Sequence, residues 1–158
     1  MGRKHTFYDR EFGRGAYDAD DPGDFEHSLV FVGMPLREDM EEVFATIRDA
    51  CTQLSLRSMR VDDKIVGSGF IIREVTAMIE QAEFLIFDLT HERPNVYYEL
   101  GYAHGVGNES REVLLIARAG TNVHFDSAPL RVLFYRSIDH LREIVTSSLT
   151  EMIRITRR

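Results

Sequence analysis

The sequence predicts a three-layer α/β domain in which helices cover both faces of a mainly parallel sheet of about five strands. Two observations support this fold class. From Ser28 onwards, continuous apolar runs alternate with amphipathic segments along the chain. Apolar runs of this kind are typical of strands buried on both faces, and strands alternating with helices favour parallel pairing.

Length and composition favour one folded domain. The chain has 158 residues, of which 44% are hydrophobic, enough for a full-sized core. Residues 1–27 differ from the rest because they contain the acidic stretch DADDPGD and show neither helical nor strand periodicity. We therefore expect a peripheral or disordered N-terminal arm over residues 1–27 and the folded domain over residues 28–158.

The first half of the domain has two predicted strands. SLVFVGMPL, residues 28–36, reads as a strand buried on both faces. Residues 38–54 carry apolar side chains at spacings of three and four, which predicts an amphipathic helix. Residues 56–63 alternate and predict a short second strand, and residues 64–69 form a loop.

The second half repeats the pattern, with a strongly buried run, EFLIFDLT, as its most distinctive strand. The predicted helices span residues 70–82, 94–107 and 138–155, and the predicted strands span residues 83–90, 112–120 and 132–137. Pro94 suits the first turn of the middle helix, since that position needs no backbone donor.

Several classes of function are disfavoured. A net charge of −7 argues against a nucleic-acid polymer as partner. No apolar run approaches the roughly 20 residues that span a bilayer, and the polar start does not resemble a secretory signal, so we expect no membrane partner. Cys51 is the only cysteine, which excludes an internal disulfide and favours the reducing cytoplasm. The scattered histidines predict no metal site.

Three polar residues follow the most buried strand. In a parallel sheet, ligands bind beyond the carboxyl ends of the strands. Asp88 ends the apolar run, and Asn95 and Glu99 lie four residues apart on one face of the following helix. Asp88 either caps the turn or contributes to a binding site. Glu99 is either a solvent-exposed surface residue or a functional carboxylate with a perturbed pKa. The apolar composition of residues 94–107 leaves little solvent face and favours the second interpretation of Glu99.

Two further loops are candidates for ligand binding. Gly33 ends the first strand and allows a close approach of backbone to a ligand, but its loop lacks the glycine-rich phosphate cradle. Arg37 in the same loop is either a phosphate contact or a surface group. The backbone amides of GSGF, which includes Gly69, predict an anion site, although a turn with Ser68 as helix cap is an equal alternative.

The segments FVGMPLRED, DLTHERPNVYYELGYAHGVG and VLLIARAG resemble the nucleoside 2-deoxyribosyltransferase-like family over roughly residues 28–138. The resemblance implies a flavodoxin-like or Rossmann-like fold and cleavage of the N-glycosidic bond of a nucleoside or nucleotide, by hydrolysis or by transfer of the sugar, with no cofactor. The family's nucleophilic glutamate lies at the position of Glu99. Such a carboxylate stabilises the oxocarbenium-like transition state or forms a covalent glycosyl ester.

The resemblance also assigns roles to other residues. Asp88 is implied to orient sugar hydroxyls or the catalytic carboxylate. The substrate-binding residues are expected to be Gly33, Met34, Pro35, Asn95, Tyr98 and Gly69. A nucleophile must be ionised at neutral pH, so we expect hydrogen bonds from a tyrosine, Tyr97 or Tyr98, or from backbone amides to oppose the effect of burial on the pKa of Glu99.

One departure concerns the proton donor. The family's additional acid aligns with Val75; Glu74, on a different helix face, and Glu80, farther along the helix, are the alternatives, so the identity of the proton donor stays open. Two alternatives to a salvage enzyme therefore stay open: a non-catalytic nucleotide-sensing module of the same fold, related to Toll/interleukin-1 receptor-like domains, and an NAD-cleaving effector in bacterial defence. The family resemblance and the apolar helix of residues 94–107 also predict a homo-oligomer.

Overall fold

The computed structural model describes residues 26–61, 68–109, 112–124 and 130–158, and for residue 26 and residues 68–73 it describes the backbone alone. Five strands and four helices follow one another in the predicted order. They are β1 (Glu26–Gly33), α1 (Glu41–Gln53), β2 (Arg57–Met59), α2 (Ser68–Gln81), β3 (Ala82–Asp88), α3 (Pro94–Gly105), β4 (Val113–Arg118), β5 (Val132–Tyr135) and α4 (Ile138–Thr156). Two 3₁₀ turns, Glu38–Met40 and Thr90–Glu92, precede α1 and α3.

The five strands form one sheet in the order β2-β1-β3-β4-β5, and every neighbouring pair is parallel. This confirms the predicted α/β fold with a parallel sheet. The chain moves from β1 outwards to β2 and then returns to the other side of β1, where β3 pairs. The strand order therefore reverses between β1 and β3.

Side chains on successive strand positions enter two separate cores, as a sheet buried on both faces requires. In β1, Val30 and Val32 pack in one core and Leu29 and Phe31 pack in the other. The first core contains buried side chains of α1 and α4, and the second contains those of α2 and α3. All seven residues of β3 are buried, which explains why this strand was the clearest in the sequence.

The first strand begins at Glu26, two residues before the predicted boundary. Its pairing with β3 is irregular between Glu26 and Val30, where Ser28 has a φ of 80°. The backbone N–H of Ser28 donates to the buried carboxylate of Glu83 at 2.6 Å, and Arg157 donates to the same carboxylate. A bulge with a left-handed residue breaks the strand's periodicity, so the sequence pattern did not extend to Glu26. Residues 1–25, most of the predicted arm, lie outside the described residues.

Within the described part of the chain, no helix is long and apolar enough to cross a membrane. Cys51 lies fully buried in the first core, and burial raises the pKa of its thiol to about 12. A thiol of this kind is structural rather than reactive.

Candidate functional site

The carboxyl ends of β1 and β3 form the part of the sheet where a ligand is expected. In open parallel sheets the crevice for a ligand lies where the strand order reverses, beyond the carboxyl ends of the strands. Here the reversal falls between β1 and β3, which end at Gly33 and Asp88. The helix α3 begins six residues after Asp88 and brings Glu99 back over this edge.

Glu99 lies against the end of β1. A Cβ atom on Gly33 would come within 2.7 Å of Oε2 of Glu99 and 2.6 Å of the Phe87 ring. Only a residue without a side chain leaves room there for the carboxylate. The structure thus brings together two of the predicted site residues, Gly33 and Glu99.

Burial determines the electrostatics of Glu99. The residue is half-buried, and desolvation raises the pKa of its carboxyl from 4.5 to about 7. No hydrogen bond or ion pair joins the carboxylate to another residue in the part of the chain that the structure describes. Among the described residues neither Tyr97 nor Tyr98 makes the expected hydrogen bond to Glu99: the Tyr97 hydroxyl accepts from the backbone N–H of His124, and Tyr98 is 59% exposed. Glu99 is therefore about half ionised near pH 7.

Asp88 is in the opposite situation. Its side chain is completely buried, and its carboxylate accepts from the backbone N–H of Thr90 at 2.9 Å, the Thr90 hydroxyl at 2.6 Å and the Tyr135 hydroxyl at 2.9 Å. The backbone N–H of Arg118 donates in turn to the Thr90 hydroxyl at 2.9 Å. Burial raises the pKa of Asp88 despite these donors. In this arrangement Asp88 holds the turn after β3 against β4 and β5 rather than facing a ligand.

The other predicted residues are spread over the same edge. Gly33, Met34 and Pro35 are buried at the end of β1, whereas Asn95 and Tyr98 are exposed on α3. Gly69 falls in the first turn of α2, and its surroundings lie outside the described residues.

The expectation that α3 has little solvent face was wrong for the single chain. Tyr98, Gly101, His104 and Gly105 are exposed, and nothing lies within 4 Å of a Cβ built on Gly101 or Gly105. The prediction failed because it counted Gly101 and Gly105 as part of the apolar surface of α3. A glycine has no side chain that could pack against a neighbour. Glu99 sits at the border between this exposed stripe and the core.

At the position of the family's additional acid the structure has an apolar side chain. Val75 is buried in the second core, and Glu74 is exposed. Glu80 accepts a short hydrogen bond from the Tyr102 hydroxyl, which engages it with α3. Among the described residues, no group of three or more His, Cys, Asp or Glu side chains is arranged to hold a metal ion.

The sequence analysis missed a charged cluster at the same edge of the sheet. Asp39, in the turn before α1, contacts Arg37, His91 and Arg118, which come from the loop after β1, the turn after β3 and the end of β4. The signal was present, since all three strands are parallel and their carboxyl ends share one edge. Charged residues at or within four residues of the ends of these strands therefore predict convergence.

No protein-family model and no curated protein matches the sequence. Among solved structures, two variants of the flavo di-iron protein from Thermotoga maritima have TM-scores of 0.59 at 17% and 16% sequence identity. A flavoprotein structure from the same organism has a TM-score of 0.56 at 17% identity. Each alignment covers 82% of this chain and 37% of the other, so this chain spans well under half the length of those proteins. At such identity the likeness shows the fold, which is flavodoxin-like.

Proposed function

We propose that this protein binds a nucleoside or nucleotide and cleaves its N-glycosidic bond with Glu99 as the nucleophile. One observation carries the proposal: a half-buried carboxylate without a hydrogen-bond partner among the described residues lies at the reversal point of a parallel sheet, against a glycine that leaves space for it. An unpaired, desolvated carboxylate costs stability, so its presence in a crevice favours a role in chemistry. The resemblance of the surrounding segment to the nucleoside 2-deoxyribosyltransferase-like family supports the same assignment.

The proposed reaction has two steps. A carboxylate oxygen of Glu99 attacks the anomeric carbon, the carbon–nitrogen bond breaks, and the base leaves with the bonding electrons and takes a proton from water. Water then attacks the anomeric carbon of the glycosyl ester and gives its proton to the hydroxide left by the first step. The carbon–oxygen bond to Glu99 breaks, the carboxylate is restored, and the sugar leaves with a free anomeric hydroxyl. Attack by a second base in place of water gives transfer instead of hydrolysis.

Val75 favours one alternative substrate. Its buried, apolar side chain cannot protonate a leaving base. A base that leaves as a neutral molecule needs no proton, and the pyridinium of NAD is such a leaving group. Cleavage of NAD is therefore the second candidate. Faster release of nicotinamide from NAD than of any purine or pyrimidine would select it.

The decisive experiment is incubation with nucleosides, nucleoside 5′-monophosphates and NAD, with the released base detected by chromatography. We expect base from at least one member of the panel, and we expect Glu99→Gln to reduce its release by at least about 10³-fold, since charge and nucleophile are lost together. Glu143→Gln, on an exposed face of α4, is the matched control and should retain the parent rate. Equal rates for the two variants would exclude Glu99 as nucleophile.

The pH dependence gives an independent check. The active form of Glu99 is the carboxylate, and its pKa is raised to about 7. We expect kcat/KM to rise about tenfold per pH unit below 7, to reach half its maximum near pH 7 and to level off above it. A profile that is flat between pH 5 and 8 would contradict an essential group with this pKa.

If the protein binds nucleotides and releases no base, the nucleotide-sensing module replaces the enzyme. A cytoplasmic location and a homo-oligomer belong to the proposal as well. The exposed stripe of α3, formed by Tyr98, Gly101 and Gly105, supports contact with a second copy. Light scattering at micromolar concentration tests this, and a monomer would remove that role for Tyr98.

A further inference from the structure

Two arginines and a histidine contact Asp39: Arg37 from the same loop, His91 from the turn after β3 and Arg118 from the end of β4. Nε of Arg37 lies 3.0 Å from Oδ1, and Nε2 of His91 lies 2.6 Å from Oδ2. Nη1 of Arg118 is 3.5 Å from Oδ2, and its Nη2 donates to the Asp39 carbonyl oxygen at 3.3 Å. The cluster borders an open depression lined by Arg37, Glu38 and Asp39.

Stability alone does not account for this cluster. The side chains of Asp39, Arg37 and Arg118 are 41%, 52% and 42% exposed, and exposed ion pairs contribute little to folding. His91 reaches Asp39 from a backbone with a φ of 65°, and Glu92 follows with a φ of 51°. Left-handed conformations cost about 1–2 kcal/mol for residues other than glycine. Strain of this kind is commonly retained where it presents a functional group.

Once Asp39 no longer pairs with them, the two arginines of the cluster exceed the nearby Glu38 by one positive charge. Arg37 and Arg118 carry two positive charges, and the ring of His91 adds an N–H donor. Asp39 offsets one of them, and the nearby Glu38 offsets another at longer range. The hydrogen bond from His91 is the largest cause that lowers the pKa of Asp39 to about 2, so Asp39 is ionised at neutral pH. Its two oxygens thus occupy the place that the oxygens of a bound oxyanion would take between the same donors.

We propose that Arg37, His91 and Arg118 form a binding site for a phosphate group and that Asp39 is an internal counter-ion which the phosphate displaces. Arginine forks match phosphate oxygens in two-point contacts, which makes phosphate the favoured oxyanion. Arg37 follows Gly33 by four residues, so their Cα atoms are at most about 14 Å apart on the same edge of the sheet. Resting on the proposed function, the inference names the substrate class as a nucleotide whose phosphate lies here while its sugar faces Glu99.

The test uses ligands that need no glycosidic bond. Inorganic phosphate, ribose 5-phosphate and uncharged ribose are titrated into the full chain at constant ionic strength, with affinity measured by calorimetry and by ³¹P resonance shifts. We expect ribose 5-phosphate to bind at least about tenfold more tightly than ribose, which corresponds to about 1.4 kcal/mol. Binding of inorganic phosphate alone would identify a free-phosphate site instead of a nucleotide site and would overturn the assignment of the substrate class.

The variants separate displacement from general charge effects. Asp39→Asn keeps the shape and removes the competing charge, so both phosphate ligands should bind about tenfold more tightly and ribose should bind unchanged. Arg37→Gln and Arg118→Gln should each weaken phosphate binding by about tenfold or more. The controls are Asp139→Asn and Arg142→Gln, an exposed pair on α4 at 2.9 Å that makes the same charge changes away from the site.

Thermal unfolding of each variant establishes that it is folded, and the highly exposed Arg37 provides a variant that leaves the core untouched. If Asp39→Asn binds phosphate no better than Asp139→Asn, or if both arginine variants bind as the parent does, the proposal is overturned. Phosphate binding without base release would support the phosphate site and contradict the proposed catalysis. Base release from nucleosides and nucleotides alike, without phosphate binding, would do the reverse.

Discussion

Two carboxylates lie near the end of β3, and their environments are opposite. Asp88 is fully buried and accepts three hydrogen bonds from Thr90 and Tyr135. Glu99 is half-buried and has no such partner among the described residues. Burial raises the pKa of both carboxyls, but only in Asp88 do donors oppose the effect.

The difference separates a carboxylate that stabilises the fold, Asp88, from one whose oxygens are not engaged by the described residues, Glu99. A buried carboxylate whose oxygens are all engaged resists change and fixes the segments around it. A desolvated carboxylate with free oxygens gains from any ligand that supplies positive charge or hydrogen-bond donors. Asp88 accordingly organises the turn that carries His91, whereas the carboxylate of Glu99 has no partner among the described residues. The following substitutions test this contrast, from the largest expected effect to the smallest.

Asp88→Ala should be the most destabilising. It leaves the Tyr135 hydroxyl and the Thr90 donors unpaired in a buried site, which we expect to cost about 3 kcal/mol or more of unfolding free energy. The melting temperature should fall by roughly 6–12 °C. Asp139→Ala, at an exposed position of α4, should change the stability by at most about 0.5 kcal/mol. A loss at Asp88 no larger than that of the control would show that the network is not structural.

Glu99→Gln should act on stability in the opposite direction. The folded-state pKa of about 7 exceeds the ordinary 4.5, so the folded protein holds this proton more tightly than the unfolded chain. Stability from this group is complete below pH 4.5 and is lost as the pH rises through 7. The glutamine variant escapes this loss. It should gain up to about 3 kcal/mol at pH 8, less to the extent that water screens the half-buried group, and under about 1 kcal/mol at pH 5.

Urea unfolding of parent and variant at the two pH values measures the gain directly. Glu143→Gln supplies the baseline for removing a solvent-exposed carboxylate. A gain at Glu99 that is the same at pH 5 and pH 8 would mean that the carboxylate is not desolvated.

Gly33→Ala tests the space around the free carboxylate. The new methyl group would meet the Phe87 ring at 2.6 Å and Oε2 of Glu99 at 2.7 Å. Glu99 can rotate away, but the ring is packed in the core, so we expect a loss of about 1–3 kcal/mol. Gly101→Ala, where nothing lies within 4 Å, should be neutral or slightly stabilising because alanine favours the helix. Comparable melting temperatures for the two variants would contradict the close contact.

Tyr135→Phe should have the smallest effect. It removes one of the three hydrogen bonds to Asp88 and leaves both donors of Thr90 in place. We expect a loss of about 1 kcal/mol in unfolding free energy, measured by urea unfolding. A loss as large as that of Asp88→Ala would assign most of the network's stability to this tyrosine.

Most of the fold could be predicted from the sequence. Strands buried on both faces appear as continuous apolar runs, and apolar residues at helical spacing follow the strands. What escaped prediction is local geometry. The bulge at Ser28 breaks the periodicity of β1, and the exposed stripe of α3 is hidden by glycines that resemble core letters. Neither feature can be recognised from the spacing of hydrophobic residues alone.

The site was readable only in part. Glu99 was predicted as a site residue from its motif and its helix face, and Gly33 from its place at the end of β1; the structure brings the two residues together. The hydrogen bond between Asp88 and Tyr135 joins residues 47 positions apart, and such a pairing depends on the strand order. The same holds for Asp39 and Arg118, whose contact follows from the adjacency of the carboxyl ends of three strands.

The single cysteine gives this protein a built-in reporter of opening. Because Cys51 is enclosed in the core and its thiol is hardly ionised at neutral pH, a thiol reagent in solution can modify it only when the surrounding core opens. The rate of labelling therefore follows the population of open molecules, without any engineered probe. Ligands that bind the folded form slow the labelling in proportion to their occupancy, so a candidate nucleotide can be recognised by the protection that it gives to the Cys51 sulfur.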